Sequence, residues 1–246
     1  MGISNILISQ PAPQMGRSPY AGIIEKYGVN IDFQPFFKVE GLSARDFRQQ
    51  RINILDHTAI VFCSRMAIDS FFRLCEETRV TVPETMKYFC QSEAIALYLQ
   101  KYIVYRKRKI FFGNGTFPSI IEVILSKHKQ EKILIAVTDG LKPTTAKLFS
   151  DAGLDFNHAV FCRTINSDLS KTNLKKYQMM VFYSPSDIAS LKDNFPDFKQ
   201  GSMLFATYGP NTAKSVRDEG LEIAIEAPSS EYASISDALN IYLGKE

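Results

Sequence analysis

Short apolar runs alternate with helical patterns along almost the whole chain. Runs such as Ile60-Val-Phe, Ile133-Leu-Ile-Ala-Val and Met179-Met-Val-Phe have the length of buried strands. The pattern predicts strands at 4–9, 30–38, 58–63, 87–90, 108–112, 132–137, 157–164, 179–183, 203–207 and 221–226. It predicts helices at 18–27, 65–77, 92–101, 116–127, 143–152, 185–193, 210–218 and 231–242. Such alternation implies an α/β protein with parallel sheets flanked by helices. Ligands of these sheets bind beyond the carboxyl ends of the strands. Ser64, Gln91, Gly113, Ser184 and Gly209 fall there.

The pattern also repeats. Ile60-Val-Phe-Cys-Ser-Arg-Met-Ala is echoed by Met180-Val-Phe-Tyr-Ser-Pro-Ser-Asp, with Ser64 and Ser184 120 positions apart. Lys87-Tyr-Phe-Cys-Gln-Ser-Glu-Ala is echoed by Phe205-Ala-Thr-Tyr-Gly-Pro-Asn-Thr-Ala. Setting Glu93-Ala94 against Thr212-Ala213 gives a spacing of 119. A third echo joins Ile6–Gly28 to Ile133–Gly153, each closing its helix on a glycine suited to the left-handed cap. Spacings of this size exceed a solenoid repeat and match a domain. Two copies of one unit would face each other across a cleft. They could run end to end, with a boundary near residue 130. They could also be nested, with crossings near 37–41 and 163–170, and periodicity does not choose between the two.

Composition narrows the class. At 246 residues, 45% hydrophobic and 22% charged, the chain has ordinary globular proportions. No apolar stretch reaches the roughly 18–20 residues of a membrane span. The N-terminus reads as a strand, without the basic and apolar regions of a secretory signal. Four Cys lack Cys-x-x-Cys spacing, and three His are unpaired, so neither a disulfide framework nor a protein-held metal is expected. A reduced, cytoplasmic setting follows. A net charge of +3 does not point to nucleic acid, but a cleft can concentrate it for an anionic small molecule.

The candidate chemistry is sparse. Ser64-Arg65 and Ser184-Pro185-Ser186 can offer hydroxyls and amides to an anion, or simply cap helices. Phe112-Gly113-Asn114-Gly115 turns into a helix but lacks P-loop and dinucleotide signatures. Tyr105-Arg-Lys-Arg-Lys109 is the densest basic run and reads as a solvated strand entry. Cys162 lies at the second crossing, facing the expected cleft, as either a reactive thiol or a buried structural one. No nucleophilic triad, paired-carboxylate set or metal constellation emerges, so an enzyme of this kind works by binding and positioning.

Three segments resemble the uroporphyrinogen-III synthase family: Val181-Phe-Tyr-Ser-Pro-Ser-Asp-Ile, Tyr208-Gly-Pro-Asn-Thr-Ala with its sequel through Ile225-Glu-Ala-Pro, and Val61-Phe-Cys-Ser-Arg-Met-Ala. The resemblance implies the nested arrangement, with one domain of residues 1–37 plus 167–246 and an inserted domain of 38–166. It implies cyclisation of hydroxymethylbilane, with loss of water and inversion of ring D, through an azafulvene and a spiro intermediate. No cofactor, nucleic acid or membrane is implied. The implied partners are a linear tetrapyrrole with eight carboxylates and, transiently, the preceding pathway enzyme. It implies substrate contacts at Ser64, Arg65, Gly113, Asn114, Ser184, Pro185, Ser186, Tyr208 and Gly209, and catalytic roles among Thr212, Cys162 and Glu93. Cys162 occupies a position where the family commonly has Tyr, and Glu93 one where it has Thr. Tyr183 and Tyr208 are nearby phenols. A non-catalytic protein that binds a tetrapyrrole or another anion is the alternative.

Overall fold

The structure, a computed structural model, describes all residues except Met1, Met15, Arg17 and Glu246. It divides into two compact units, Met1–Lys38 with Ile165–Glu246, and Val39–Thr164. The first unit opens with β1 (Asn5–Ile8), α1 (Ala21–Tyr27) and β2 (Asn30–Phe33). β3 (Phe37–Gly41) carries the chain into the second, which continues through α2 (Ala44–Gln49), β4 (Ala59–Phe62), α3 (Arg65–Glu77), β5 (Lys87–Cys90) and α4 (Glu93–Tyr98). Then follow β6 (Ile110–Phe112), α5 (Phe117–Lys127), β7 (Ile133–Thr138), α6 (Pro143–Asp151) and β8 (Phe156–Asn166). The chain returns to the first unit with β9 (Met179–Phe182), α7 (Pro185–Asn194), β10 (Leu204–Tyr208), α8 (Pro210–Asp218), β11 (Ile225–Ala227) and α9 (Ile235–Leu243).

Sheet order is β11-β10-β9-β1-β2 in the first unit and β3-β8-β7-β4-β5-β6 in the second. Neighbours within β11 to β2, and within β8 to β6, pair in parallel. β3 joins β8 through Leu42 N–H to Phe161 O and Ser167 N–H to Phe36 O, both 2.8 Å, in the antiparallel sense. The two orders superpose as β11/β6, β10/β5, β9/β4, β1/β7 and β2/β8. The pair that opens the first unit's chain closes the second unit's alternating set, so the copies are circularly permuted. Register agrees residue by residue: Leu7 opposes Met180 as Leu134 opposes Ile60.

Both faces of each sheet are covered, which is why its strands are continuously apolar. In the second unit Ile60 and Phe62 pack with α3, while Ala59 and Val61 pack with α5 and α6. In the first, Ile6, Ile8, Met179 and Val181 pack with α1 and α9. Leu7, Met180, Phe182 and Phe205 pack with α7 and α8. Phe62, Phe182 and Phe205 are wholly buried, and truncating any one to Ala would cost about 3–5 kcal/mol.

Several boundaries depart from expectation. The strand expected at 30–38 is two strands, broken at Gln34-Pro35, where proline lacks the ladder N–H. The strand expected at 221–226 is only Ile225–Ala227, and residues 99–101 of the helix expected at 92–101 form a 3₁₀ turn. α2, unanticipated, starts where the Ser43 side chain accepts from Asp46 N–H at 3.1 Å. Among the described residues no helix is long and apolar enough to cross a membrane.

Candidate functional site

In the first unit the chain winds one way from β9 through β10 to β11, and the other way from β1 to β2. The reversal falls between β1 and β9, the point at which open sheets of this kind leave a crevice at the carboxyl ends of their strands. Ser9 follows β1, Tyr183-Ser184 follows β9, and Gly209 follows β10.

Ser184 caps α7, its Oγ accepting from Ser186 N–H at 3.2 Å. Asp187 completes a capping box and goes further. Its Oδ2 accepts from Ser184 N–H (2.9 Å), Tyr183 N–H (2.9 Å) and the Ser9 hydroxyl (2.7 Å). Asp187 is 1% exposed, has no cation partner among the described residues, and its Oδ1 has no hydrogen-bond partner. Burial pushes its carboxyl above the usual range, against the opposing hydrogen bonds from Ser9, Tyr183 and Ser184. The first amides of α7 are thus engaged internally, and Pro185 has none. Of the two offerings expected at this turn, only the hydroxyls of Ser184 and Ser186 remain for a ligand.

α8 is built the opposite way. Gly209, at φ 87° and ψ 147°, holds a conformation that side chains strongly disfavour, and it caps the helix without a side chain. Its N–H goes to Ala227 O at 2.7 Å. Pro210 contributes no donor. The amides of Asn211 and Thr212 have no partner among the described residues. Thr212 is 2% exposed, and its hydroxyl is unpartnered but not fully enclosed. Two open amides, a hydroxyl and the positive end of a helix dipole make an anion cradle. Tyr208 borders it, 39% exposed, with its ring 5.6 Å from that of Tyr183. The Tyr183 and Tyr20 hydroxyls lie 2.7 Å apart.

In the second unit the reversal lies between β4 and β7. Ser64 is half-buried and caps α3, accepting from Ala67 N–H at 3.1 Å. Arg65 is exposed, lies over the Tyr98 ring at 5.3 Å and has no carboxylate partner among the described residues. The Gly113-Asn114 turn satisfies itself. Gly113 N–H goes to Cys90 O, Asn114 N–H to Ser119 Oγ, and the Thr116 hydroxyl to Asn114 Oδ1. A Cβ on Gly113 would collide with Ser119 and Ile120, so packing accounts for this glycine.

Two expectations change here. Cys162 does not face a cleft: it is fully buried in the core beside Phe161, with Sγ 3.3 Å from Ser70 Oγ. A register shift between Val137 and Thr138 aligns Thr138 with Cys162, which breaks strict in-out alternation and leaves Phe161 and Cys162 both inside. Burial pushes the thiol up, opposed by the Ser70 hydrogen bond. Glu93 is the first residue of α4, as Pro210 is of α8, so the counterpart of Thr212 is Ile95. Register agrees, because Cys90 opposes Phe62 as Thr207 opposes Phe182. Glu93 is exposed and occupies no threonine position.

Sequence reasoning missed Ser9, Asp187 and Tyr20. Ser-Pro-Ser-Asp carried a capping-box signal for Asp187. Nothing local linked Ser9 or Tyr20 to residues more than 160 positions away. A groove of about 1310 Å³ in the first unit is lined by Lys175, Phe195, Lys199, Met203 and Tyr242 among others. It includes residues that precede β9 and β10, at the strands' amino ends and therefore opposite the crevice. No metal-binding group of three or more His, Cys, Asp or Glu occurs among the described residues.

No curated protein matches the chain. Solved structures share the fold, two among them over nearly the whole chain. One is a mutant uroporphyrinogen III synthase from the extremely thermophilic bacterium Thermus thermophilus, 13% identical, covering 99% of this chain and 100% of its own, with a TM-score of 0.60. The other is uroporphyrinogen-III synthetase from Helicobacter pylori 26695, 13% identical with the same coverages and a TM-score of 0.61. Sequence adds what shape alone does not: the family profile HEM4, described as "Uroporphyrinogen-III synthase HemD", matches residues 18–237 and takes in both capped turns and the α8 cradle. The chain belongs to the uroporphyrinogen-III synthase family.

Proposed function

We propose that this chain closes hydroxymethylbilane to uroporphyrinogen III, with residues at the carboxyl ends of its strands holding the substrate. The observation that carries the reading is the open start of α8 within the family match: two unpaired amides and the Thr212 hydroxyl at a glycine cap. A substrate with eight carboxylates suits such a cradle, because neutral donors hold a carboxylate without a deep ion pair. Ser184 and Ser186 add hydroxyls, and the Tyr208 ring and Gly209 shape the rim. In the second unit Ser64 and Arg65, the latter without a carboxylate partner among the described residues, are the contacts we assign to other carboxylates. Pro185 sets the entry of α7. Gly113 and Asn114 serve their own turn, and Cys162 and Glu93 have no part in the chemistry.

The reaction needs little covalent help. Loss of the hydroxyl as water leaves an azafulvene. Attack by the substituted carbon of ring D gives a spiro intermediate, and reopening and reclosure invert that ring. Holding the chain of pyrroles by its periphery lets ring D turn while rings A to C stay fixed, which is catalysis by positioning. The four free cysteines suit a reducing cytoplasm. Transient transfer from the enzyme that makes the labile bilane fits the same chemistry. The test is the rate of hydroxymethylbilane consumption: the chain should accelerate it above spontaneous closure, and an unchanged rate would reject the reading.

A further inference from the structure

The first unit brings two phenols together: the rings of Tyr20 and Tyr183 pack with its core, and the contact between their hydroxyls is one that neither packing nor helix capping uses. Tyr20, just before α1, and Tyr183, just after β9, approach to 2.7 Å between hydroxyl oxygens. Tyr20 is 7% exposed, while Tyr183 is only partly buried and stands beside Ser184 at the crevice. The Tyr208 ring lies 5.6 Å from the Tyr183 ring, tilted by 33°. A phenol has one proton, so one O–H lies in the bond between the two oxygens and the other points elsewhere. The pair therefore always holds one hydroxyl proton outside its own bond.

We propose that the Tyr20–Tyr183 pair lends the proton that carries the substrate hydroxyl away as water. This rests on the reaction assigned above. In the step, the phenol O–H breaks and its proton joins the departing oxygen. The C–O bonding pair leaves with that oxygen, and the pyrrole nitrogen lone pair forms the azafulvenium. The phenolate left behind accepts a hydrogen bond from the second phenol. On reclosure the ring carbon that gains the new C–C bond loses its proton, and the phenolate takes it back, so the cycle balances without a co-reactant. Burial pushes the hydroxyls of both Tyr20 and Tyr183 up, which keeps both protonated at neutral pH.

The experiment compares Tyr183→Phe and Tyr20→Phe with the parent on two substrates. One is hydroxymethylbilane. The other is the same bilane bearing an acetoxymethyl group, whose acetate leaves without protonation. Tyr183→Phe should lower kcat for type III product by about 10²-fold or more on the hydroxymethyl substrate, with KM changed less than about threefold. On the acetoxymethyl substrate it should match the parent. Tyr20→Phe should show the same selectivity with a smaller loss. Circular dichroism and Tm report whether each variant folds, and either folded variant suffices for the comparison. Turnover within about twofold of the parent, or equal loss on both substrates, overturns the pair's role. If the parent itself forms no type III product, the assigned reaction falls, which is a separate failure.

Discussion

Replacing Asp187 with Ala tests how the α7 turn is held. The carboxylate oxygen Oδ2 receives three donors, from Ser9, Tyr183 and Ser184. Each hydrogen bond contributes a net ~1 kcal/mol, and a donor left buried without a partner costs ~1–3 kcal/mol. Against this, removing Asp187 relieves a buried carboxyl that has no cation partner, and the Tyr183 and Ser184 amides are only partly buried. The balance is a loss of about 2–3 kcal/mol. Ser9→Ala removes one donor and should cost about 1 kcal/mol, and the double variant should show a coupling of about 1 kcal/mol. The chain has no Trp, so urea unfolding is followed by far-ultraviolet circular dichroism and tyrosine emission. The two units are fitted as separate transitions. A loss below about 1 kcal/mol for Asp187→Ala, or additivity of the pair within about 0.3 kcal/mol, would refute the reasoning.

Three further outcomes are expected. Thr212→Val keeps shape and burial while deleting the open hydroxyl, so Tm should hold while the type III rate falls roughly tenfold, and an unchanged rate removes Thr212 from the cradle. Burial pushes Cys63, Cys75 and Cys90 up to about 12 and raises Cys162 as well, so a thiol reagent at neutral pH should label none of the four until denaturant is added. Fast labelling of the native protein would contradict that. His128 packs on Phe111 with its Nδ1 buried and unpartnered, and burial, then Lys87, hold its imidazole below the ordinary histidine range. The unfolded chain therefore takes up this proton first, and stability should fall as pH drops from about 7 to 5. His128→Phe should flatten that slope in urea titrations, and an unaltered slope would assign the pH response to other groups.

Much of the architecture was legible because strand registers follow apolar runs. Ser64 and Ser184 both cap helices that follow equivalent strands, so their 120-residue spacing marks a true structural equivalence. The second echo misled by two residues. Matching Glu-Ala to Thr-Ala favoured like neighbours, whereas the helix starts pair Glu93 with Pro210. Cys162 misled because its burial depends on a register shift against β7, which strand periodicity alone does not encode. The Ser-Pro-Ser turn was visible, but its amides are taken up by Asp187 and Ser184, and their closure by Ser9 depends on a contact across 178 positions. The open start of α8 is not read from the sequence, where Asn211 or Thr212 could serve as the cap: the helix begins at Pro210, so its cap residue is Gly209, which has no side chain to offer.

Ring closure with inversion of ring D is the activity proposed for this chain. The most direct measurement is the isomer composition of the product formed from hydroxymethylbilane, separated by chromatography after oxidation to the porphyrin. Predominantly type III is expected in the presence of the chain and type I in its absence. Type I alone in both samples would contradict it.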